Sequence, residues 1–387
     1  MNEALFYLCA FAVVYTYAGY PAIMLLWSKL LPRAVQRAAV QPRVAIIVVA
    51  HNEEARITAK LETCLAQDYP AELMRVIVAA DGSQDATPSI VRAFDDPRIQ
   101  LLAFPTRRGK AACLNDAAAA CTEEILVFTD ARQALNPQAV RCLVENLADP
   151  AVGAVSGELV FVREDMSPFA EGMDAYWRYE KLIRMAEARV HSVPGVTGAL
   201  YAIRKSCFHP ISPRTILDDV AIPMQAIRDG YRVVFDSRAV AYDKLSQSPA
   251  QEKIRKVRTL AGNYQLIGSM PWVLLPVANP IFLQFFSHKV MRLVAPFAML
   301  GLLVSNVFLA NVSGFYASTL VAQVLGYTLA LGAVLSPRLR RWRLAKLASA
   351  FLQLNWYAVL GLVRFFSNPE VHLWQSHSVE SDKKVGG

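Results

Sequence analysis

The stretch RVAIIVVAHN, residues 43–52, decides how this chain folds. From Val44 to Ala50 no polar residue interrupts the run, and most of its side chains are β-branched. A strand with one wet face would alternate, so an unbroken run this short marks a strand buried on both faces. MRVIVAADGS (74–83) and EEILVFTDA (123–131) repeat the pattern. Helical segments lie between them: one carrying Leu61 and Leu65 and broken near Tyr69-Pro70, another over 86–95, and a third over 110–121 with its alanine run. Farther on, TILDDVAIPMQAIRDGYRVVFD (215–236) places Asp218 and Asp219 ahead of an apolar helical run. That run stops at Asp229-Gly230 and gives way to a strand from Tyr231 to Phe235. Alternation of this kind predicts an α/β fold with a largely parallel sheet.

Sheets of this class bind ligands beyond the carboxyl ends of their strands. Polar residues collect there: Asn52 and Glu53 after the first strand, Asp81 after the second, Asp130 after the third. Any one of them alone fits a helix cap or a turn. At corresponding ends of neighbouring strands they share one crevice, which points to a binding site.

The remaining sequence speaks of a membrane. Of 387 residues 54% are hydrophobic and only 19% charged, with a net charge of +8. Residues 4–27, ALFYLCAFAVVYTYAGYPAIMLLW, carry no charge and are long enough to span a bilayer. They lack the basic start and small-residue cleavage site of a signal peptide, so they read as an uncleaved anchor. Further apolar stretches cover 293–311, 315–336 and 347–366, and the proline-interrupted 271–290 reads as interfacial or re-entrant. The expected organisation is an anchor (1–30), a globular domain (40–265), the interfacial segment (271–290), transmembrane helices (291–367) and a polar tail (368–387). Lys29, Arg33, Arg37 and Arg43 after the anchor, and PRLRRWRLAK (337–346), place the globular domain in the cytoplasm of a multi-pass inner-membrane protein, with four spans if 271–290 does not cross and one more if it does. The basic excess thus serves topology and contact with anionic lipid. No basic stripe with interleaved aromatics appears, which excludes a nucleic-acid partner. The six cysteines have no C-x-x-C spacing and read as small buried hydrophobes rather than zinc ligands or disulfides.

Seven segments in order carry a resemblance: AHNEE (50–54), ADGSQDAT (80–87), RRGKAACLN (107–115), FTDARQAL (128–135), TGALYAIRK (197–205), LDDVAIP (217–223) and RKVRT (255–259). From about Val44 to Tyr264 the chain resembles the family-2 glycosyltransferases of the GT-A fold, above all the membrane-embedded enzymes related to cellulose, hyaluronan and poly-N-acetylglucosamine synthases. The resemblance implies a Rossmann-like GT-A domain and inverting transfer of a sugar from a nucleotide sugar, a UDP-sugar in most of the family, to a saccharide or lipid-linked acceptor. It implies polysaccharide or cell-envelope glycan synthesis at the cytoplasmic membrane face. Asp219 matches the catalytic base, and Asp130 matches the ligand of a divalent metal, Mg2+ or Mn2+. Asn52, Glu53, Asp81, Lys110, Arg255 and Arg258 match residues that hold the nucleotide sugar. Asp218 is expected to orient the loop or cap the helix. Trp374 resembles a tryptophan near the cytoplasmic tail of some relatives.

Two departures matter. The D-x-D motif reads Asp130-Ala131-Arg132, so a second acid is missing, and an ion there would lean on diphosphate oxygens and water. The Q/R-x-x-R-W element ends in Thr259, which offers no ring for a sugar to stack on and argues against processive polymerisation. A nucleotide-sugar pyrophosphorylase would need a glycine-rich phosphate loop after the first strand, where AHNEE has none. A non-catalytic nucleotide-sugar-binding scaffold or transport component would not need the acids and Arg258.

Overall fold

Helix α1 (Asn2–Leu30) opens the chain and winds as a π-turn over Tyr15–Gly19. The computed structural model describes residues 2–162, 168–244 and 249–367. After α1 an extended segment leads into β1 (Val44–Ala50), every residue of which is buried. Its side chains alternate between two apolar layers, which is why the sequence shows no alternation. Ala45, Ile47 and Val49 face one layer, and Val44, Ile46, Val48 and Ala50 the other. The chain continues through α2 (Ile57–Leu65), β2 (Met74–Asp81), α3 (Thr87–Arg92), β3 (Ile99–Phe104), α4 (Lys110–Ala120) and β4 (Ile125–Asp130). Next come β5 (Ala134–Leu135), α5 (Ala139–Asn146), β6 (Val152–Val162), α6 (Pro168–Val190), β7 (Tyr201–Arg204), α7 (Asp218–Arg228) and β8 (Arg232–Lys244).

The strands form one sheet in the order β3-β2-β1-β4-β7-β6-β8-β5. The β2–β3, β1–β2, β1–β4 and β6–β8 pairs are parallel, and β7 and β5 run antiparallel to their neighbours. The mostly parallel α/β reading therefore holds. β1 sits between β2 and β4, so the loops after these three strands open side by side. Two of them are clasped together. Asn52 donates its backbone N–H to Ser83 Oγ at 3.1 Å, its Oδ1 accepts the Gln84 N–H at 2.9 Å, and the Glu53 N–H reaches Thr87 Oγ1 at 2.8 Å. Asn52 adopts φ +53°, a left-handed conformation that asparagine tolerates better than most residues.

The membrane portion departs from the four spans expected. Among the described residues three helices are long and apolar enough to cross a bilayer: α1, α9 (Phe282–Leu309) and α10 (Gly314–Leu335), with α8 (Pro249–Ser269) ahead of the last two. The apolar stretch at 347–366 belongs to α11 (Arg343–Ser367), which carries Arg343, Lys346, Arg364 and a buried Asn355. One face of α11 lies against α8: a Cβ on Gly361 would come within 2.8 Å of Leu260 Cβ, so the helices touch backbone to backbone. The segment 271–290 also divides. Pro271–Leu274 forms a 3-10 turn, and its Val273 joins Ile281 and Phe285 in the apolar layer under α4 and α7. From Phe282 onward the chain is already α9. The tail, including Trp374, lies outside the described residues.

A buried polar seam ties α6 to these helices. His288 of α9 lies between Glu187 (Nδ1 to Oε1, 2.7 Å) and Glu180 (Nε2 to Oε2, 3.0 Å) of α6. Arg292 also pairs with Glu180, and the Tyr20 hydroxyl of α1 donates to Glu187 Oε1 at 2.5 Å.

The clasped loops allow one clean test of the fold. Gly82 has φ +60°, and a Cβ there would meet the backbone N of Arg107 at 2.4 Å. Gly82→Ala should cost about 1–3 kcal/mol from backbone strain alone, with the clash in addition. Thermal melting of the detergent-purified protein reads this; an unchanged melting temperature would refute the close approach.

Candidate functional site

The site is built on charges that converge from three elements. Lys110 is the first residue of α4, and the turn before it needs Gly109, whose φ is +95°. Asp81, at the end of β2, sets that turn. It is fully buried, and its Oδ1 and Oδ2 accept the backbone N–H groups of Arg108 (2.7 Å) and Gly109 (2.9 Å). Asp81, one of the residues matched to nucleotide-sugar binding, is thus also a structural residue of this turn. Both of its oxygens are turned to the protein, and it acts by positioning Lys110.

From there the Lys110 ammonium reaches Asp130 Oδ1 at 2.9 Å and Asp218 Oδ2 at 3.1 Å. Burial alone would depress the pKa of this lysine, but Asp130 and Asp218 raise it well above its ordinary value. Asp130 responds in kind. Burial pushes its carboxyl up, Lys110, Arg132 and Lys60 outweigh that, and the net shift is downward. Asp218 and Asp219 occupy the first turn of α7, where negative charge suits the helix dipole. Asp218 spends its charge on Lys110.

Asp219 behaves differently. Its backbone carbonyl accepts the Val196 N–H at 2.8 Å, which fixes the residue, while its carboxyl has a pKa raised to about 6. Burial is the main cause and the neighbouring Asp218 the second; Lys110 and Lys289 offset part of the rise. An ordinary carboxylate would have titrated near 4. Asp219 is thus tuned toward neutrality, where the sequence alone gives no reason to expect a shift.

The other expected residues separate. Glu53 faces Asp130 and Arg132 and pairs with Arg56 at 3.1 Å; burial raises its carboxyl despite both arginines. Asn52 serves the loop clasp through its side-chain carbonyl. Arg258 of α8 lies near Asp218, Asp219 and Asp130, and its Nε is buried without a hydrogen-bond partner. Arg255, one turn earlier, points back to Glu252 at 3.8 Å and takes no part in the cluster. Arg132, the third residue of the D-x-D segment, is held by Asp243 through Nε (3.0 and 3.1 Å) and a terminal nitrogen (2.9 Å). Thr259 donates to the Arg255 carbonyl at 3.0 Å and leaves no ring beside Arg258.

Four residues escaped the sequence reading. Lys60 is almost wholly buried and donates to Thr129 Oγ1 (2.6 Å) and Gln133 O (2.8 Å), holding the β4 end on which Asp130 sits. Tyr201, stacked on Phe128, has a buried hydroxyl without a partner near Asp130, Asp218 and Asp219. Arg364 of α11 lies close enough to oppose the charge of Arg258, and its Nε is likewise unpartnered. Lys289 of α9 brings a membrane helix to within electrostatic reach of Asp219. The strand-end positions of the acids signalled a site. These four gave no local sign because their partners are distant in sequence.

For a divalent ion the chain offers one suitable carboxylate. Asp130 is partly exposed and engages Lys110 through Oδ1, and among the described residues no three His, Cys, Asp or Glu side chains converge on a common point. This fits an ion that takes its other ligands from a diphosphate and water.

Comparisons with known proteins agree with this geometry. Residues 45–211 match the family model described as Glycosyl transferase family 2. The chain is 23% identical over 239 residues to the probable glycosyltransferase YdaM of Bacillus subtilis, covering 58% of this chain and 56% of that protein. It is 32% identical over 173 residues to an N-acetylglucosaminyltransferase of Rhizobium meliloti, covering 43% and 40%. The succinoglycan biosynthesis protein ExoO of the same organism is 33% identical over 110 residues, 28% of this chain and 31% of that protein. The chain thus matches at most about half the length of these relatives. Among solved structures, the mannosyltransferase PcManGT from Pyrobaculum calidifontis, in complex with GDP-Man and Mn2+, superposes with a TM-score of 0.72. At 24% identity it covers 95% of this chain and 99% of its own, and this likeness establishes the GT-A fold.

Because Lys110 lowers the carboxyl pKa of Asp219, Lys110→Met should move it upward from about 6. The carboxyl stretch in infrared titration reads that shift. A carboxyl that titrates at the same pH in both proteins would overturn the arrangement.

Proposed function

Residues 45–211 are a family-2 glycosyltransferase domain, and from that premise we propose that the chain is an inverting glycosyltransferase. It takes a sugar from a nucleotide-sugar donor, a UDP-sugar by family habit, and passes it to a hydroxyl of a saccharide or lipid-linked acceptor at the cytoplasmic face of the inner membrane. The observation that carries this reading is Asp219, a fixed and half-buried carboxyl of pKa about 6, beside two acids that share Lys110.

Asp219 removes the proton of the acceptor hydroxyl as its oxygen attacks the anomeric carbon from the face opposite the nucleotide. The new C–O bond forms while the bond to the β-phosphate breaks, and its electron pair leaves with the nucleoside diphosphate. Arg258, with Arg364 behind it, faces the charge that gathers on the leaving group, and their unpartnered Nε groups are ready donors. Lys110 is placed to touch the same group. A magnesium or manganese ion held by Asp130 would supply Lewis-acid stabilisation to the diphosphate. Similarity to N-acetylglucosaminyltransferases and to a protein of succinoglycan biosynthesis supports a role in polysaccharide or envelope glycan synthesis. Three apolar helices support attachment to a membrane.

Nucleotide release from a panel of UDP- and GDP-sugars, GDP-mannose included, tests the reaction in the presence of Mg2+ or Mn2+. Asp219→Asn should lower turnover by about 10²- to 10⁴-fold and leave donor affinity unchanged. Turnover equal to the parent's would sink the assignment of the base. The ionised form is the competent one. The rate should therefore level off at neutral pH and fall roughly tenfold per unit below about pH 6.

Orientation has its own test, helped by the burial of all six native cysteines. A membrane-impermeant maleimide added to intact cells should label Val312→Cys and spare Trp342→Cys. The reverse pattern would invert the topology.

A further inference from the structure

Away from the acid cluster, at the inner end of α1, lies a cavity of about 420 Å³. Four arginines line it, Arg33, Arg37, Arg189 and Arg238, against the single acid Asp236. Two of the four are committed. Arg238 pairs with Asp236 (2.7 Å) and Glu145 (2.9 Å), and Arg37 donates to Asn146 at 2.9 Å and lies 3.6 Å from Asp236. The guanidinium groups of Arg33 and Arg189 are exposed and make no hydrogen bond or ion pair among the described residues. Their backbones are nevertheless fixed. The Arg33 N–H donates to the Arg189 carbonyl at 2.7 Å, and Arg232 donates to the Arg33 carbonyl at 2.9 Å. The surplus of positive charge is felt nearby. Burial, Arg33 and Arg232 together hold the imidazole of His191 down to about 4.

The chain just before Arg33 is largely apolar and exposed. Leu26, Trp27, Leu30 and Leu31 of α1 and the following turn are exposed, Leu30 and Leu31 by about two thirds, with Lys29 the one charge among them, and Leu182 of α6, which packs against α1, is exposed as well. Apolar side chains left bare on a helix that crosses a bilayer are covered by acyl chains. Here the bare stripe runs to within two residues of Arg33. An apolar stripe that ends in a fixed cationic pocket is complementary to one kind of molecule, a chain with an anionic head.

We propose that this pocket binds the phosphate headgroup of an anionic membrane phospholipid, gripped by Arg33 and Arg189, with its acyl chains along Leu26, Leu30 and Leu31. The site is separate from the one assigned to sugar transfer and does not rest on that reading. Each basic group near a membrane surface contributes modestly to binding. Removing two should therefore weaken the preference for anionic over zwitterionic lipid by about 10- to 30-fold.

The test uses the full chain, delipidated in detergent and titrated with mixed micelles of phosphatidylglycerol or of phosphatidylcholine with the same acyl chains. Native mass spectrometry reads lipid retention, and thermal melting reads stabilisation. The parent should retain phosphatidylglycerol in preference to phosphatidylcholine. Arg33→Gln/Arg189→Gln should lose that preference, and Arg33→Lys/Arg189→Lys should keep most of it. Should the double variant not fold, the exposed Arg189→Gln alone should show a partial loss. Equal retention of the two lipids by the parent, or an unchanged preference in the glutamine variants, overturns the proposal. Stabilisation by inorganic phosphate that matches phosphatidylglycerol also overturns it, because the apolar stripe would then add nothing.

Discussion

The Lys110 ammonium holds the end of β4 and the start of α7 in one place by sharing itself between Asp130 and Asp218. Without that cation, Asp130, Asp218 and Asp219 would face one another across a poorly solvated crevice, and like charges in such surroundings repel strongly. The neutralisation is unequal. Lys110 makes direct contacts with two of the acids and reaches Asp219 only through space. Asp219 therefore carries both its burial and the charge of Asp218, and its carboxyl rises to about 6 while that of Asp130 falls. One lysine thus divides neighbouring carboxyls into an anion suited to a cation and a weaker acid suited to exchanging a proton near neutrality.

That division depends on a chain of local constraints. β2 ends in Asp81, and Asp81 gathers the N–H groups of Arg108 and Gly109. Gly109 supplies the left-handed turn, and the turn aims Lys110. Removing the Asp81 carboxylate would leave buried N–H groups unsatisfied, a cost of about 1–3 kcal/mol for each, and would free the loop that carries the lysine. The loop after β1 is tied to the same platform through Asn52 and Ser83. Residues that resemble ligand contacts by sequence can therefore serve the ligand through the geometry they impose.

The sheet was readable in proportion to its burial. β1, β2 and β4 show as apolar runs because both of their faces are covered, whereas β3, with its half-exposed residues, and the bulged β6 have no such signature. The acids were legible because strand ends in parallel sheets face a common crevice. Their tasks were less so. Asp81 and Arg132 look alike as free polar groups until Gly109 and Asp243 are seen against them, and those partners are 28 and 111 residues away. The shift of Asp219 arises from burial, which no local pattern encodes. The apolar stretch at 347–366 shows a related limit: its hydropathy averages over a face that meets α8 and a face that does not.

The seam between α6 and α9 ties an apolar helix to the acid cluster. Burying Glu180, Glu187, His288 and Arg292 is costly unless each charge finds its partner, and the distances leave little slack: His288 bonds one glutamate through each ring nitrogen. Sliding α9 by one residue would turn His288 out of that bracket and leave Glu187 with only the Tyr20 hydroxyl. The register of the helix on the domain is therefore fixed by electrostatics more than by the permissive packing of its apolar side chains. Lys289 follows His288 directly, so the same lock sets where its ammonium stands relative to Asp219. The Asp219 carboxyl is in this way tuned in part by a helix long and apolar enough to cross a bilayer. A shift of α9 against α6 would therefore change the field at Asp219 through Lys289.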